Sequence, residues 1–175
     1  MNWYACADAW SFILRRYLPR LALCSLAWEV AQLPLYTLWD EPRLGWIVFA
    51  LAHCTAGDVA IGAGTLLLAL AASRARAPAE WPRTRVGAFM VVFALAYTVA
   101  SEHINLARGN CQGGLIVRFA RASEYINLAR GNWAYSPWMP LLPWLEVGLA
   151  PMAQWIVVPL AAWRWAKRQT SQRPT

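Results

Sequence analysis

The residues able to do proton or ligand chemistry in this chain sit inside apolar stretches: Glu29 with Gln32, His53 with Asp58, Glu102 with Asn105, and Gln154. Gln32 follows Glu29 by three residues, close to one helical turn, so its amide can donate to the carboxyl group. Asp58 has no Lys or Arg in its own apolar segment and needs a partner from another one. His53 and Asp58 are separated by about 140° around a regular helix, so they share a cavity only if it is wide or the helix loosens near Gly57. His53, Ala56, Gly57, Ala60 and Gly64 fall on one face, a small-residue stripe that predicts close helix packing with His53 turned toward protein. Carboxyl groups whose surroundings push their pKa values apart can work as acid and acceptor, which makes Glu29, His53, Asp58 and Glu102 the candidate catalytic residues.

One segment occurs twice. Ser101-Glu102-His103-Ile104-Asn105-Leu106-Ala107-Arg108-Gly109-Asn110 recurs at 123–132 with His103 alone exchanged, for Tyr125. The economical reading is a tandem duplication; two copies are too few for a solenoid. The second copy adds Glu124, Asn127 and Arg130 to the ligand-binding candidates Gln32, Asn105, Arg108 and Gln154. Arg108 and Arg130 are suited to gripping a phosphate or carboxylate. No spacing fits a metal site, and the residues specify no cofactor; His53 and His103, the only histidines, make haem a minor option. The four cysteines, Cys6, Cys24, Cys54 and Cys111, show no C-x-x-C spacing and are expected as free thiols.

Composition supplies the setting. Of 175 residues 59% are hydrophobic and 14% charged, whereas about a quarter are charged in a soluble domain. The expected fold is all-α, a multi-pass membrane protein with about four transmembrane helices over 21–39, 46–73, 86–104 and 144–163, each near the length of about 20 residues that crosses a bilayer. Pro34 should kink the first. Residues 1–20, with Trp3, Trp10, Arg15, Arg16 and Arg20, read as an interfacial N-terminal segment, and 115–129 as an amphipathic interfacial helix. The membrane domain then covers 21–166, the duplicated outer loop 106–143 and a basic tail 167–175.

Charge gives an orientation. Sixteen Lys+Arg against nine Asp+Glu leave a net charge of +7, but no basic patch interleaved with exposed aromatics suggests nucleic acid. Arg15, Arg16 and Arg20, the connector arginines 74, 76, 83 and 85, and the C-terminal basic residues outnumber those of the first turn and the duplicated loop. The positive-inside rule therefore puts both termini in the cytoplasm. The expected partners are membrane lipids, with a homo-oligomer as a candidate assembly.

Trp28-Glu29-Val30-Ala31-Gln32-Leu33-Pro34-Leu35-Tyr36, His53-Cys54-Thr55-Ala56-Gly57-Asp58, Trp133-Ala134-Tyr135-Ser136-Pro137-Trp138-Met139-Pro140 and Gly148-Leu149-Ala150-Pro151-Met152-Ala153-Gln154-Trp155 together resemble a family of small bacterial inner-membrane proteins without an assigned activity. The resemblance implies a multi-pass inner-membrane protein and supplies no mechanism. Residues 111–132 depart from the family pattern, in which Glu-x-x-Asn leads almost at once into Trp-x-Tyr-Ser. Three classes of function fit the residues: binding or conversion of a lipid-like molecule, a small oligomeric transporter or proton-coupled carrier, and a non-catalytic accessory or assembly subunit. In the last, the buried polar groups serve only as interhelical hydrogen bonds.

Overall fold

The computed structural model describes residues 3–74, 77–109, 136–143 and 148–168, with side chains left aside at 99 and 101–109. Among the described residues every regular element is helical, and Leu141 and Gly148 form an isolated β-bridge. The helices are α1 (Ala7–Phe12), α2 (Leu18–Gln32), α3 (Leu44–Ala72), α4 (Arg83–Gly109) and α5 (Leu149–Arg168). α3 packs on α2 and α4, and α5 packs on the same two, so the four long helices close into a square bundle. Consecutive long helices run antiparallel: the start of α2 meets the middle of α3 at Gly62, and the start of α4 meets the end of α5 through the Trp163 Nε1 bond to the Arg83 carbonyl, 3.2 Å.

Prolines shape the first helix. Pro19 has no N–H for the carbonyl one turn back, and its ring crowds that turn. The chain answers with a wide π-helical turn over Ile13–Tyr17, and Arg20 Nη1 donates to the Arg16 carbonyl at 2.6 Å. Helix therefore continues from α1 through the π turn into α2. Residues 3–20 are not separate from the bundle: Ala9, Phe12, Ile13 and Tyr17 are all buried in its core. At the other end Pro34 stops α2 rather than kinking it: the chain tightens into a 3-10 turn over Leu33–Leu35, and Tyr36 is extended.

The core is concentrated where α1, the start of α4 and the end of α5 meet. Trp163 touches three rings there: Phe12 and Tyr17 edge-on with centroids at 5.7 and 6.3 Å, and Trp81 stacked at 6.0 Å. Leu66 and Leu70 of α3 and Met90 of α4 complete the cluster. Edge-to-face pairs suit the ring quadrupoles and add to the apolar area removed from water.

The outside is apolar as well. Leu23 and Val30 of α2, Val48 and Leu68 of α3, Val92 of α4, and Ile156 and Val157 of α5 are exposed, while Ser25, Gln32, Thr65, Thr98 and Gln154 are buried. α3, 29 residues long, is the one helix among the described residues that is long and apolar enough to span a membrane.

The rotational setting of α3 corrects one expectation. Ala50, Gly62, Thr65, Leu66, Ala69 and Leu70 are its buried residues, and the stripe that joins them passes through Asp58 and Cys54. His53, Ala56, Gly57 and Ala60 instead lie on the exposed side, and a Cβ at Gly57 or Gly64 would meet nothing within 4 Å. The small-residue stripe does not pack on a neighbouring helix. The glycine that permits close approach is Gly62, where a Cβ would come within 2.6 Å of Leu21 Cδ2 and where the Tyr17 hydroxyl donates to the backbone carbonyl at 3.4 Å.

Gly62→Val should therefore overpack the α2/α3 contact, since Leu21 is fully buried and has little room to move. The expected loss is about 1–3 kcal/mol in unfolding of the purified protein. Gly64→Ala, into open space, should hold or gain up to about 1 kcal/mol through helix propensity.

Candidate functional site

The polar residues of three helices meet at the end of the bundle opposite the aromatic core. α2 presents Glu29 and Gln32 one turn apart just before Pro34 ends the helix, α3 presents Asp58 from its inward stripe, and α5 presents Gln154 from its second turn. Gln32 Nε2 donates to Glu29 Oε1 at 2.9 Å, and Trp28 Nε1 donates to Gln32 Oε1 at 3.1 Å. Gln154 Nε2 donates to both carboxyl groups, at 3.2 Å to Glu29 Oε1 and at 2.6 Å to Asp58 Oδ2. Gln154 Oε1 in turn accepts from Gln32 Nε2 at 3.4 Å. The expected Glu29 and Gln32 pair is present, and the partner that Asp58 requires from another segment is Gln154.

Glu29 and Asp58 share the one Gln154 amide donor, so their carboxyl oxygens lie close together. Two ionised carboxylates are acceptors only, so direct contact needs a proton between them. Among the described residues neither pairs with a Lys or Arg; the salt bridge seen is the exposed one between Arg43 and Glu41, 2.6 Å. That pair holds the Glu41 carboxyl below and the Arg43 guanidinium above their ordinary values. It is local to the turn before α3 and remote from the chemistry.

A cavity of about 370 Å³ opens on this network. Glu29, Gln32, Asp58 and Gln154 form its polar wall; Leu33, Leu51, Ile61 and Trp155 supply apolar surface. The size falls in the range of about 300–1,000 Å³ typical of small-molecule pockets, and a mostly apolar lining with a few convergent polar groups is their usual composition. His53 also lines the cavity, so it shares this space with Asp58 although it points from the exposed side of α3, stacked on Phe49 with centroids 5.8 Å apart.

The loop entering α5 closes over the end of α2. Pro34 and the turn leave carbonyls without helical donors. Ser136 meets that need, donating from its backbone N–H to the Leu35 carbonyl at 2.9 Å and from Oγ to the Pro34 carbonyl at 3.3 Å. Met139 is buried behind it, and Leu149 N–H donates to the Pro140 carbonyl at 2.7 Å, starting α5. The Ser-Pro-Trp-Met-Pro stretch thus positions Gln154 against α2.

Of the residues singled out in the sequence, Glu29, Gln32, His53, Asp58 and Gln154 are brought together. Glu102, Asn105 and Arg108 lie on the last turns of α4, beyond Thr98, which lines the cavity; their side chains are outside the description. Glu124, Asn127, Arg130, the interfacial helix expected over 115–129 and Cys111 are outside the described residues altogether. Cys6, Cys24 and Cys54 are free thiols, and no group of three His, Cys, Asp or Glu among the described residues could hold a metal ion. The sequence reading missed Trp28, which orients Gln32, and Tyr36, Cys54 and Tyr97 on the cavity wall. For Trp28 the signal was available: it precedes Gln32 by four residues, the spacing of same-face helical neighbours.

Replacing Gln154 by Leu removes the donor that both carboxyl groups share. The variant should lose about 1–3 kcal/mol of stability. Combining it with Asp58→Asn should be non-additive by about 0.5–3 kcal/mol in a double-mutant cycle read by thermal unfolding, because the two residues belong to one network. Comparison of the chain with protein-family models, with curated proteins and with solved structures finds no match in any of the three.

Proposed function

We propose that the chain is a multi-pass helical protein of a bacterial inner membrane, both termini cytoplasmic, whose carboxyl-walled cavity binds a lipid-like small molecule. The reading of the membrane is supported by the inside-out distribution of polarity: all four long helices expose apolar side chains while glutamines, serine and threonines are buried between them. α4 adds a stretch from 86 to 100 without a charged residue. The bacterial setting comes from the resemblance of the motifs.

The observation that carries the ligand reading is the meeting of Glu29 and Asp58 on one cavity without a cation. A carboxyl group at the depth of a membrane helix costs about 2.5–3.5 kcal/mol or more on insertion scales, so two of them on open space need partners or a task. Gln32 and Gln154 satisfy part of their acceptor capacity, and the rest faces the cavity. A ligand that donates hydrogen bonds or carries positive charge, with an apolar body against Leu33, Leu51, Ile61 and Trp155, complements that wall. Should the ligand be converted, a proton held between Glu29 and Asp58 is the group best placed to move, with His53 at the side of the cavity.

Native mass spectrometry of the detergent-purified protein tests this directly and should show a copurifying small molecule. Glu29→Gln and Asp58→Asn should keep the thermal stability, since the amides preserve hydrogen bonding without burying charge, yet lose the ligand. Retained ligand with unchanged stability in both variants would leave an accessory subunit held together by its polar network as the better reading. The topology has its own test. Reporters fused after 168 should be active on the cytoplasmic side, and one fused within the loop 106–143 on the external side; the reverse pattern sinks the orientation.

A further inference from the structure

The carboxyl-walled cavity is not lined from the bundle interior alone. Ala50, Thr98 and Gln154 line it as buried residues, whereas His53, Gly57 and Tyr97 line it as exposed ones, Tyr97 at 52%. A cavity with linings of both kinds runs from the interior to the surface. His53 and Gly57 belong to α3 and Tyr97 to α4, two antiparallel helices packed side by side, so the outlet lies in the seam between them.

Gly57 is the low point of that rim. It carries no side chain, and among the described residues a Cβ there would meet nothing within 4 Å. A glycine inside a helix costs about 0.5–1 kcal/mol relative to alanine. At Gly62 the close approach of Leu21 accounts for the glycine, whereas Gly57 borders the cavity instead. His53 is set at the edge of the outlet by a column of rings: its imidazole stacks on Phe49 with centroids 5.8 Å apart, and Phe49 stacks on Trp46 at 5.3 Å.

The height of the outlet decides what can use it. α3 is long and apolar enough to span a membrane, and Gly57 stands near its midpoint, about 20 Å from Leu44 and about 23 Å from Ala72. Half of a bilayer's hydrocarbon core is only about 15 Å. Exposed Phe49 on α3 and Val92 on α4 keep the surroundings apolar. We infer that the seam at Gly57 is a lateral portal, through which a molecule dissolved in the bilayer, apolar along its body and polar at one end, enters the cavity. It passes Gly57, meets a hydrogen-bonding imidazole at the rim and reaches Glu29 and Asp58 without crossing water. The inference rests on the membrane and ligand readings above and narrows the ligand to molecules that partition into hydrocarbon.

Cys54, a free thiol on the cavity wall one turn before Asp58, reports on the route. The full chain is placed in lipid nanodiscs, whose two faces are both open to water, and treated with benzyl methanethiosulfonate or with its trimethylammonium-ethyl analogue, a cation confined to water. The mixed disulfide at Cys54 is followed by peptide mass. The benzyl reagent should react at least about tenfold faster. Gly57→Phe, which fills the rim, should slow that reaction at least about tenfold, and Tyr97→Ala, which widens it, should quicken it. Gly64→Phe, two turns further along the same side of α3 and away from the cavity lining, should leave it unchanged. Equal reaction with the cationic reagent means that the cavity opens to water and overturns the portal. A rate indifferent to Tyr97→Ala and to Gly57→Phe overturns it as well, and Tyr97→Ala decides alone where Gly57→Phe fails to fold. The expected labelling without any copurifying small molecule would uphold the portal and set aside the ligand reading. A protein that stays in solution without detergent would remove the membrane reading and the portal with it.

Discussion

A single amide group, Nε2 of Gln154, donates to two carboxyl groups from two other helices, and much of the bundle follows from that contact. α3 and α5 sit on opposite corners of the square, each packed on α2 and α4. The bond from Gln154 to Asp58 crosses the diagonal, and the bond to Glu29 ties in the corner between them. Polar groups of this kind are satisfied in one arrangement and orphaned in most others, so the register of α2, α3 and α5 is set by hydrogen bonds as well as by packing. Shape complementarity between apolar helices alone would leave that register weakly specified, because sliding one apolar surface over another changes little.

The two ends of the bundle serve opposite needs. Where α1 and the ends of α4 and α5 converge, Phe12, Tyr17, Trp81 and Trp163 fill the interior and Lys167 lies over three of those rings, so the space is closed by aromatic area. At the other end the chain does not fill the interior. Pro34 ends α2 early, Ser136 and the loop behind it cover the exposed carbonyls, and a cavity remains between Leu33, Ile61 and Trp155. The proline that terminates the helix and the serine that caps it are thus part of how the cavity comes to exist. Prolines earlier and later in the chain act differently: Pro19 is absorbed by a π turn and Pro159 sits inside α5, so both helices run on.

The wider architecture places the polar groups of the cavity on helix faces rather than on loops. Glu29, Asp58 and Gln154 all project from within helices. Positions of that sort have their side-chain directions fixed by the helix and its neighbours, which favours selective recognition over adaptation.

What the residues alone determined was the helical class, and they singled out Glu29, Gln32, His53, Asp58 and Gln154 as the polar groups to watch. Those are local properties: apolar runs, charge-free lengths, and carboxyl groups without a cation in their own segment. The rotational setting of α3 was not local. The stripe of small residues at His53, Ala56, Gly57 and Ala60 is as good a packing face by spacing as the one through Asp58 and Gly62, and only Leu21 from α2, seated on Gly62, decides between them. The continuation of helix through Pro19 was likewise hidden, since a proline reads as a break until a π turn and burial of Phe12, Ile13 and Tyr17 offset its missing bond. Nor could spacing show that one glutamine would serve two acids, because residues 29, 58 and 154 meet only once three helices have packed.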